Sequence, residues 1–289
     1  MARRLPPPAL DDAPLAPGLY VVATPIGNLR DITLRALDVL AHADLVLAED
    51  TRVAGKLLSA YGLSAKLERY DEHGAERARP RALAALAEGR RVALVSDAGT
   101  PLVSDPGYRL VREAAAEGYS VFPIPGASAL LAGLSVAGLP TDRFLFAGFP
   151  PPKSAARRTF LEELAPIRAT LVFFEGGSRL AASLADMAAV FGDREGVVCR
   201  ELTKLYETVL RGPLPELAAD PRFAAPKGEL VILVGPGREA QASAADVDAA
   251  LADALQRLRP AEAAAEVAHA LGLPRREVYQ RAMAMRAGR

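Results

Sequence analysis

The feature that most constrains the fold of this chain is a regular alternation of short apolar runs with longer helical stretches, which begins at Leu19. Four apolar runs, each bounded by Gly, Pro or Asp, predict strands buried on both faces: LYVVAT (19–24), DLVLAE (44–49), RVALVSD (91–97) and YSVFPI (119–124). The segments between and after them predict helices over 33–42, 52–61, 75–89 and 106–117. Such alternation predicts βαβ units and a mostly parallel sheet.

The next part of the chain predicts a second α/β half with a mixed sheet. Helices are expected over 127–138 and 154–167, and strands over 143–149, 169–175, 196–202, 206–212 and 228–235. The short gap between the strands at 196–202 and 206–212 implies an antiparallel pair. We therefore expect an N-terminal α/β domain over 18–126 and a C-terminal α/β domain over 127–237.

Both ends of the chain differ in composition from these two halves. Residues 1–17 contain five prolines and no periodicity, which predicts a disordered tail. Residues 243–289 predict a helical, helix-turn-helix-like extension, with seven Arg against three Glu from Arg257 onward. Two interpretations of this extension are open: a helical hairpin that packs on the body or on a partner subunit, or a contact with RNA or the ribosome.

Charge and cysteine content exclude several classes of protein. Lys+Arg and Asp+Glu are balanced at 35 each, so any nucleic-acid contact must come from a local patch. Cys199 is the only cysteine, which excludes an intramolecular disulfide and a cysteine-rich metal cluster, and three scattered histidines predict no metal site. No apolar stretch is long enough to predict a membrane span or a signal peptide, so we expect a cytoplasmic protein.

Three loops rich in small residues follow strands of the first half. They are Thr24-Pro25-Ile26-Gly27-Asn28, the segment from Ser96 to Gly107, and the segment from Pro123 to Ala129. In parallel sheets the ligands lie beyond the carboxyl ends of the strands, so these loops predict one binding cleft. The chain lacks the glycine patterns of the dinucleotide-binding and P-loop motifs, which removes the usual phosphate-binding interpretations.

Eight segments in order carry a resemblance to a known family: ATPIGNLRDITLRAL, VLAEDTR, SDAGTPLVSDPG, PIPGASAL, FLFAGFPPPK, LVFFEG, ELTKLYET and KGELVILV. They closely resemble the ribosomal RNA small subunit methyltransferase I family, one of the tetrapyrrole-methylase-like (class III) S-adenosylmethionine-dependent methyltransferases. The resemblance covers residues 19 to about 236, and the C-terminal helices look like that family's tail. Two departures stand out: Ser178 replaces a motif histidine, and Gly74 replaces a motif asparagine.

The resemblance implies a two-domain class III α/β fold with a C-terminal helical extension, in a homodimer that binds S-adenosyl-L-methionine between its domains. It also implies 2′-O-methylation of a cytidine in 16S rRNA of the assembled small ribosomal subunit. Residue types and the resemblance together predict a donor site formed by Pro25, Asp97, Ala98, Gly99, Val103, Ser128, Ala129 and Phe174, with Leu202, Thr203 and Gly228 from the second half.

Methyl transfer to a ribose hydroxyl needs alignment and help in removing the hydroxyl proton, but no metal. The candidate catalytic groups are Glu49, Asp50, Arg52, His73, Lys153, Lys204 and Glu207, and Arg157 is a further polar candidate. We expect Asp50 or Glu49 to act as the base or to orient the ribose, because carboxylates at strand ends face the cleft. For each of these residues, a helix cap or a surface ion pair is the alternative role.

Two other functions remain open at the level of sequence. One is methylation of a tetrapyrrole, although relatives with that activity have a longer glycine-rich first loop and a G-D-P turn where this chain has TPIGN and AGTP. The other is a non-catalytic ribosome-assembly factor that binds the methyl donor only for structural reasons.

Overall fold

A computed structural model of the chain describes residues 10–11, 13–72, 74–223, 228–237, 244–271 and 273–287. The chain divides into two compact units. The first contains both β-sheets and their helices, and the second contains the three C-terminal helices. The predicted boundary between 18–126 and 127–237 therefore separates two sheets within one unit.

The first sheet, predicted to be mostly parallel, is parallel at every strand pair, with the strand order β3-β2-β4-β1-β5. Its strands are β1 (Gly18–Val22), β2 (Leu45–Ala48), β3 (Leu67–Arg69), β4 (Arg91–Val95) and β5 (Val121–Ile124). Its helices are α1 (Leu34–His42), α2 (Thr51–Ala60), α3 (Ala75–Ala87) and α4 (Tyr108–Ala116). The short edge strand β3 was not predicted, because its sequence LER is polar and incompletely buried.

Helices on both faces of the first sheet explain why its inner strands are apolar throughout. Val46 and Ala48 of β2 pack into one core, together with α1 and α2. Leu45 and Leu47, which point the opposite way, pack into a second core with α3 and α4. Successive residues of a strand face opposite sides, so a strand covered on both sides needs an unbroken apolar run.

The second sheet is mixed, as predicted, with the strand order β6-β7-β10-β8-β9. Its strands are β6 (Phe144–Gly148), β7 (Thr170–Gly176), β8 (Glu195–Arg200), β9 (Thr208–Pro213) and β10 (Glu229–Val234). Strands β8 and β9 form the predicted antiparallel pair, whereas β6 and β7 are parallel. The accompanying helices are α5 (Ala129–Ala137), α6 (Ser154–Leu164), α7 (Leu180–Phe191) and α8 (Leu214–Ala219).

Helices α7 and α8 were not predicted, although α7 has a clear sequence signal. Leu180, Leu184, Met187 and Phe191 recur at helical spacing, and all four are buried. They give α7 a buried apolar face.

The described part of the N-terminal tail is more ordered than expected. Leu10 and Leu15 pack against the core on the α1–α2 side of the first sheet. The hydroxyl of Tyr20 donates a hydrogen bond of 2.6 Å to the carbonyl oxygen of Ala16. Partial burial of the two leucines holds this segment in place although it has no regular secondary structure, and the proline content alone did not indicate this contact.

The second unit has the three helices expected from the sequence: α9 (Ala244–Arg257), α10 (Pro260–Leu271) and α11 (Arg275–Ala287). Their apolar faces enclose a small core of their own, in which Leu251, Ala264, Val267 and Ala282 are buried. In the described ranges, no helix is long and apolar enough to cross a membrane.

Candidate active site

Backbone and side-chain hydrogen bonds join the three loops that follow β1, β4 and β5. Thr24 and Gly99 form an isolated antiparallel bridge: the Thr24 N–H donates to the Gly99 carbonyl at 2.8 Å, and the Gly99 N–H donates to the Thr24 carbonyl at 3.0 Å. The hydroxyl of Thr100 donates to the carbonyl of Ala127 at 3.2 Å, which ties in the third loop. The loops therefore converge at the carboxyl edge of the parallel sheet, as the sequence predicts.

A cavity of about 420 Å³, here called the donor cavity, opens beside these joined loops. Its volume lies in the usual range for small-molecule sites, roughly 300–1,000 Å³. The predicted donor residues that line it are Asp97, Ala98, Gly99, Val103, Ser128, Ala129, Phe174 and Leu202. Pro25 and Thr203 line a neighbouring groove instead, and Gly228 lines neither of the two.

The donor cavity also has lining residues that the sequence analysis did not select. Phe149 packs edge-on against Phe174, with ring centroids 5.7 Å apart, and the two rings form an apolar part of the wall. Ile26, Asp105 and Cys199 also line the cavity. Phe149 and Asp105 lie within segments that carry the family resemblance, so closer attention to those segments could have found them.

Three carboxylates, those of Glu49, Asp97 and Asp105, line the donor cavity from the first sheet. The backbone N–H of Asp50 donates to Oδ1 of Asp97 at 2.9 Å, which fixes that side chain at the end of β4. Burial raises the pKa of Glu49, and the negative charge of Asp97 adds to the effect. Burial raises the pKa of Asp105 to about 6, assisted by the charges of Glu49 and Asp97. This wall favours a cationic ligand.

Other carboxylates of the cavity are occupied by ion pairs. Glu175 accepts from the guanidinium of Arg179 at 2.6 Å and from the Ser183 hydroxyl at 2.5 Å. Glu201 pairs with Lys204 at 3.1 Å. These contacts hold β7 and the loop after β8 in place, so the two carboxylates stabilise the wall of the donor cavity.

A larger groove of about 1640 Å³, here called the α2 groove, adjoins the donor cavity. It is lined by the TPIGN loop, by helix α2 and by residues Thr203, Lys204 and Leu205. Asp97 and Lys204 line both spaces. The alkyl chain of Lys204 covers Gly27 so closely that a Cβ on Gly27 would overlap Lys204 Cγ. The two spaces therefore meet at Asp97 and Lys204.

The ionisation of Lys204 is set by its two carboxylate partners. Burial lowers its pKa, but hydrogen bonds from Nζ to Glu201 and Glu229, at 3.1 and 3.3 Å, outweigh that effect. The net pKa of Lys204 is raised, so this residue is a cation where the two spaces meet.

Two of the candidate catalytic residues, Asp50 and Arg52, form a helix cap. Asp50 is the N-cap of α2, where its carboxylate accepts from the Arg52 backbone N–H at 2.8 Å. The Arg52 guanidinium also binds it, so the pKa of Asp50 lies well below its usual range. The Arg52 side chain is 85% exposed and lines the α2 groove. Asp50 is thus a weak proton acceptor held in a capping role.

Two of the remaining candidates do not line the donor cavity. Lys153 and Glu207 line neither the cavity nor the α2 groove, and Glu207 instead accepts from the backbone N–H of Thr203 at 2.6 Å. His73 lies outside the described residues. The catalytic candidates that line the donor cavity are Glu49 and Lys204.

Arg157, the further polar candidate for the active site, has a structural role instead. Its side chain is 3% exposed and its Nε donates to Asp186 Oδ2 at 2.8 Å. Its Nη2 also contacts Asp186 Oδ2, at 2.7 Å, and its Nη1 donates to the carbonyl oxygens of Pro151 and Pro152, each at 3.2 Å. Arg157 therefore joins α6, α7 and the segment before α6.

Comparison with known proteins gives the class to which this fold and cavity belong. Residues 18–218 match the family model of tetrapyrrole (corrin/porphyrin) methylases. The methyltransferase CobJ has a similar structure, with a TM-score of 0.57 at 22% identity, over 76% of this chain and 94% of that one. Diphthine synthase aligns with a TM-score of 0.55 at 20% identity, over 75% of this chain and 89% of that one. The protein is a class III methyltransferase, and its methyl donor is S-adenosylmethionine.

Sequence comparison narrows this class. Proteins named ribosomal RNA small subunit methyltransferase I from Mesorhizobium japonicum and Escherichia coli O157:H7 are 51% and 45% identical to this chain. The first alignment covers 94% of this chain and 94% of the Mesorhizobium protein, and the second covers 92% of this chain and 94% of the Escherichia coli protein. Residues 241–286 match the family model described as the RsmI C-terminal HTH domain. The chain belongs to the ribosomal RNA small subunit methyltransferase I family.

Proposed function

We propose that this protein transfers a methyl group from S-adenosylmethionine to the 2′-hydroxyl of a cytidine in 16S rRNA, within the small ribosomal subunit. The observation that carries the proposal is the donor cavity, which gathers residues from three loops of the parallel sheet and from β7 and β8 into one enclosed wall. The names of the relatives at 45–51% identity supply the kind of RNA.

The lining of the donor cavity fits S-adenosylmethionine. That molecule has a cationic sulfonium at its centre, an ammonium and a carboxylate at its methionine end, and a flat aromatic adenine at the other end. The carboxylates of Glu49, Asp97 and Asp105 provide negative charge for the sulfonium and the ammonium, while Phe149 and Phe174 provide an aromatic surface for adenine. When bound, the donor supplies an activated methyl group, so the protein's own work is alignment and proton transfer.

Glu49 is the better placed of the two proposed bases. Its carboxylate lines the donor cavity, and burial raises its pKa, which makes it the stronger proton acceptor. Asp50, one residue further on, is bound by Arg52 and has a lowered pKa. Glu49 would accept the proton of the ribose hydroxyl. The Lys204 ammonium would stabilise negative charge on the RNA near the junction of the donor cavity and the groove.

The subunit arrangement and the cellular location form part of the same proposal. We infer a homodimer in the cytoplasm, where the small ribosomal subunit is found. Sedimentation at micromolar concentration should give about twice the 30.5 kDa chain mass. A monomer at the highest accessible concentration would contradict the dimer and leave the methyltransferase assignment intact.

The function is tested by transfer of radioactive methyl groups. Small subunits from a strain that lacks this enzyme are incubated with the purified protein and labelled donor, then digested to nucleosides. Label in 2′-O-methylcytidine supports the proposal. Label in a tetrapyrrole offered in parallel, or subunit binding without label, would support the two alternative functions and overturn it. Naked 16S rRNA, assayed beside intact subunits, shows which form is the substrate.

The role of Glu49 is tested with Glu49→Gln beside Asp50→Asn. Glu49→Gln should lower the rate of transfer by about 10²–10⁴-fold if the residue is the general base. Asp50→Asn keeps an oxygen that can cap α2, so a small effect is expected. An equal loss in both variants, or none in Glu49→Gln, would remove Glu49 from this role.

A further inference from the structure

The α2 groove has a basic wall with two unpaired cations. Arg30, Arg52, Lys56 and Lys204 line it. Arg52 pairs with Asp50, and Lys204 pairs with Glu201 and Glu229. Across the part of the chain that the structure describes, no carboxylate forms an ion pair with Arg30 or Lys56. Both side chains are exposed, so the groove presents positive charge that the protein itself does not neutralise.

Local structure places Arg30, Arg52 and Lys56 on two connected elements that line the groove. Arg52 and Lys56 are four residues apart in α2, which puts them on the same face, while Leu57 and Leu58 are buried. Arg30 lies in a short 3-10 helix (Leu29–Asp31) that follows the TPIGN loop. The hydroxyl of Tyr61, at the end of α2, donates to the carbonyl of Leu29 at 2.5 Å. This bond ties the Arg30 segment to α2.

Exposed side chains of low polarity lie on the loop that contributes Thr203, Lys204 and Leu205 to the groove. Leu205, which lines the groove, is 87% exposed, and the adjacent Tyr206 is 70% exposed. Their loop is fixed by the hydrogen bond from Thr203 N–H to the Glu207 carboxylate. Thr203 also has a φ of +64°, in the left-handed region, which marks a defined loop conformation. A rigid loop with an exposed aromatic ring can stack on an unpaired base.

We propose that the α2 groove binds a single-stranded segment of RNA beside the target nucleotide, with Arg30 and Lys56 contacting its phosphates and Tyr206 stacking on a base. Unpaired cations in the groove and an exposed ring next to Leu205, which lines it, match the two requirements of single-strand binding, which are charge along the backbone and a surface for bases. This inference rests on the proposed function.

The groove's position accounts for how RNA bound there can be methylated. Asp97 and Lys204 line both the groove and the donor cavity. A ribose at this junction lies between RNA held along α2 and the methyl donor held against the three loops. The chain has a net charge of +0, so such a local patch is needed to bind a polyanion.

The first test is RNA binding by the double variant Arg30→Gln/Lys56→Gln, with no methyl donor present. The probe is a fluorescently labelled single-stranded RNA, with anisotropy measured over a series of salt concentrations. Removing one cation that neutralises a phosphate of a single strand lowers the log–log salt slope by about 0.7, so the slope should fall by about 1.4. Calorimetric affinity for the donor should not change, because neither residue lines the donor cavity.

The matched control is Lys66→Gln/Arg112→Gln, which removes the same charge. Lys66 and Arg112 are exposed and line neither the cavity nor the groove. This control should keep the wild-type affinity and salt slope. Equal losses in the two double variants would mean that only net charge matters, and would overturn the proposal. A folded Arg30→Gln/Lys56→Gln protein with wild-type affinity and slope would overturn it as well.

A second variant separates stacking from charge. Tyr206→Ala should weaken RNA binding and leave the salt slope unchanged, because stacking involves no counterion release. Wild-type affinity in Tyr206→Ala would remove the residue from the RNA surface.

Two further measurements separate this proposal from others. A wild-type protein that binds RNA through the groove but methylates no cytidine would contradict the proposed function and not the groove. Methylation at wild-type rate and apparent affinity by Arg30→Gln/Lys56→Gln would contradict the role of the groove and leave the proposed function intact. If that variant sediments as a monomer where wild type is a dimer, the groove is a subunit interface and the RNA assignment is wrong.

Discussion

Gly99 passes so close to Ile26 that a Cβ on the glycine would lie 3.3 Å from Cγ2 of the isoleucine. Gly99 also has a φ of +83°, which favours glycine, and it forms the backbone bridge to Thr24. We predict that Gly99→Val abolishes binding of S-adenosylmethionine, measured by calorimetry, because the side chain would displace the loop that lines the donor cavity.

Gly118→Val is the matched control for this variant. Gly118 has nearly the same φ, +81°, but nothing lies within 4 Å of an added Cβ. It should lose stability from the same backbone strain, about 1–3 kcal/mol, and keep its donor affinity. Undiminished binding by folded Gly99→Val would remove the loop from the donor site.

Asp105 should make the protein less stable as the pH rises from about 4 to about 6. Its pKa is raised from 3.8 to about 6, so in this range the native state binds more protons than the unfolded state. The free energy of unfolding therefore falls with pH, by at most about 3 kcal/mol and by less where solvent screens the group. The penalty is absent below pH 3.8 and complete above about pH 6.

Asp105→Asn should remove this part of the pH dependence. Urea unfolding of both proteins at several pH values measures it, and the raised pKa of Glu49 contributes a similar trend to both proteins. The stability difference between variant and wild type should grow with pH over this range. A difference independent of pH would contradict the raised pKa.

The ion pair of Asp186 with Arg157 should be needed for stability. Asp186→Asn leaves the buried Arg157 guanidinium without its carboxylate and should cost about 3–5 kcal/mol. Arg158→Ala removes a 52% exposed partner of the same carboxylate and should cost less than about 1 kcal/mol. Thermal unfolding compares the two variants, and equal losses would show that the burial of Arg157 does not matter.

Cys199 should resist alkylation even though it lines the donor cavity. Its side chain is buried, and burial raises its pKa to about 11, so almost no thiolate is present at neutral pH. Iodoacetamide should modify the native protein far more slowly than the urea-unfolded protein, as followed by mass spectrometry. Rapid modification of the native state, slowed by added donor, would show that the cavity admits the reagent.

The arginines of the C-terminal helices should contribute unequally to binding of the small subunit. Arg257 pairs with Asp253 and Glu266, and Arg281 pairs with Asp248. Within 244–271 and 273–287, the side chains of Arg259, Arg276 and Arg286 form no ion pair.

If the helical unit contacts RNA, replacing Arg259, Arg276 and Arg286 together by Gln should lower the salt slope of subunit binding by about 2 to 3. Replacing Arg257 and Arg281 should act mainly on the stability of the helices. An unchanged slope in the triple variant would favour the alternative, a helical unit with a purely structural role.

Sequence alone predicted the elements whose apolar residues form a continuous run or recur at helical spacing. The inner strands β1, β2 and β4 are apolar apart from Arg91 at the start of β4, because helices cover both faces, and that pattern is visible in the sequence. The prediction that the fourth run is buried on both faces is wrong, because β5 lies at the edge of the sheet and only Ile124 in it is buried. Strand β3 could not be found in this way, because an edge strand needs no continuous apolar run. Helix α7 could have been found from the helical spacing of its buried apolar residues.

Within the site, sequence located the loops but not the direction of each side chain. Glu49 and Asp50 are adjacent, yet one lines the donor cavity and the other caps α2. The sequence does not show that Arg157 is buried, because its partner Asp186 lies in α7 and contacts it only in the folded protein. Such distinctions depend on contacts between distant segments, which no local pattern contains.

The contact between Gly27 and Lys204 has a consequence for how this family can change over evolution. Gly27 belongs to a loop of the first sheet and Lys204 to a loop of the second, and the glycine leaves room for the lysine's alkyl chain. A larger residue at position 27 requires a shorter one at 204, which would also remove the cation that both spaces share. The two positions should therefore covary among relatives. A chimera made from the halves of two relatives should retain activity only when its parents match at both positions.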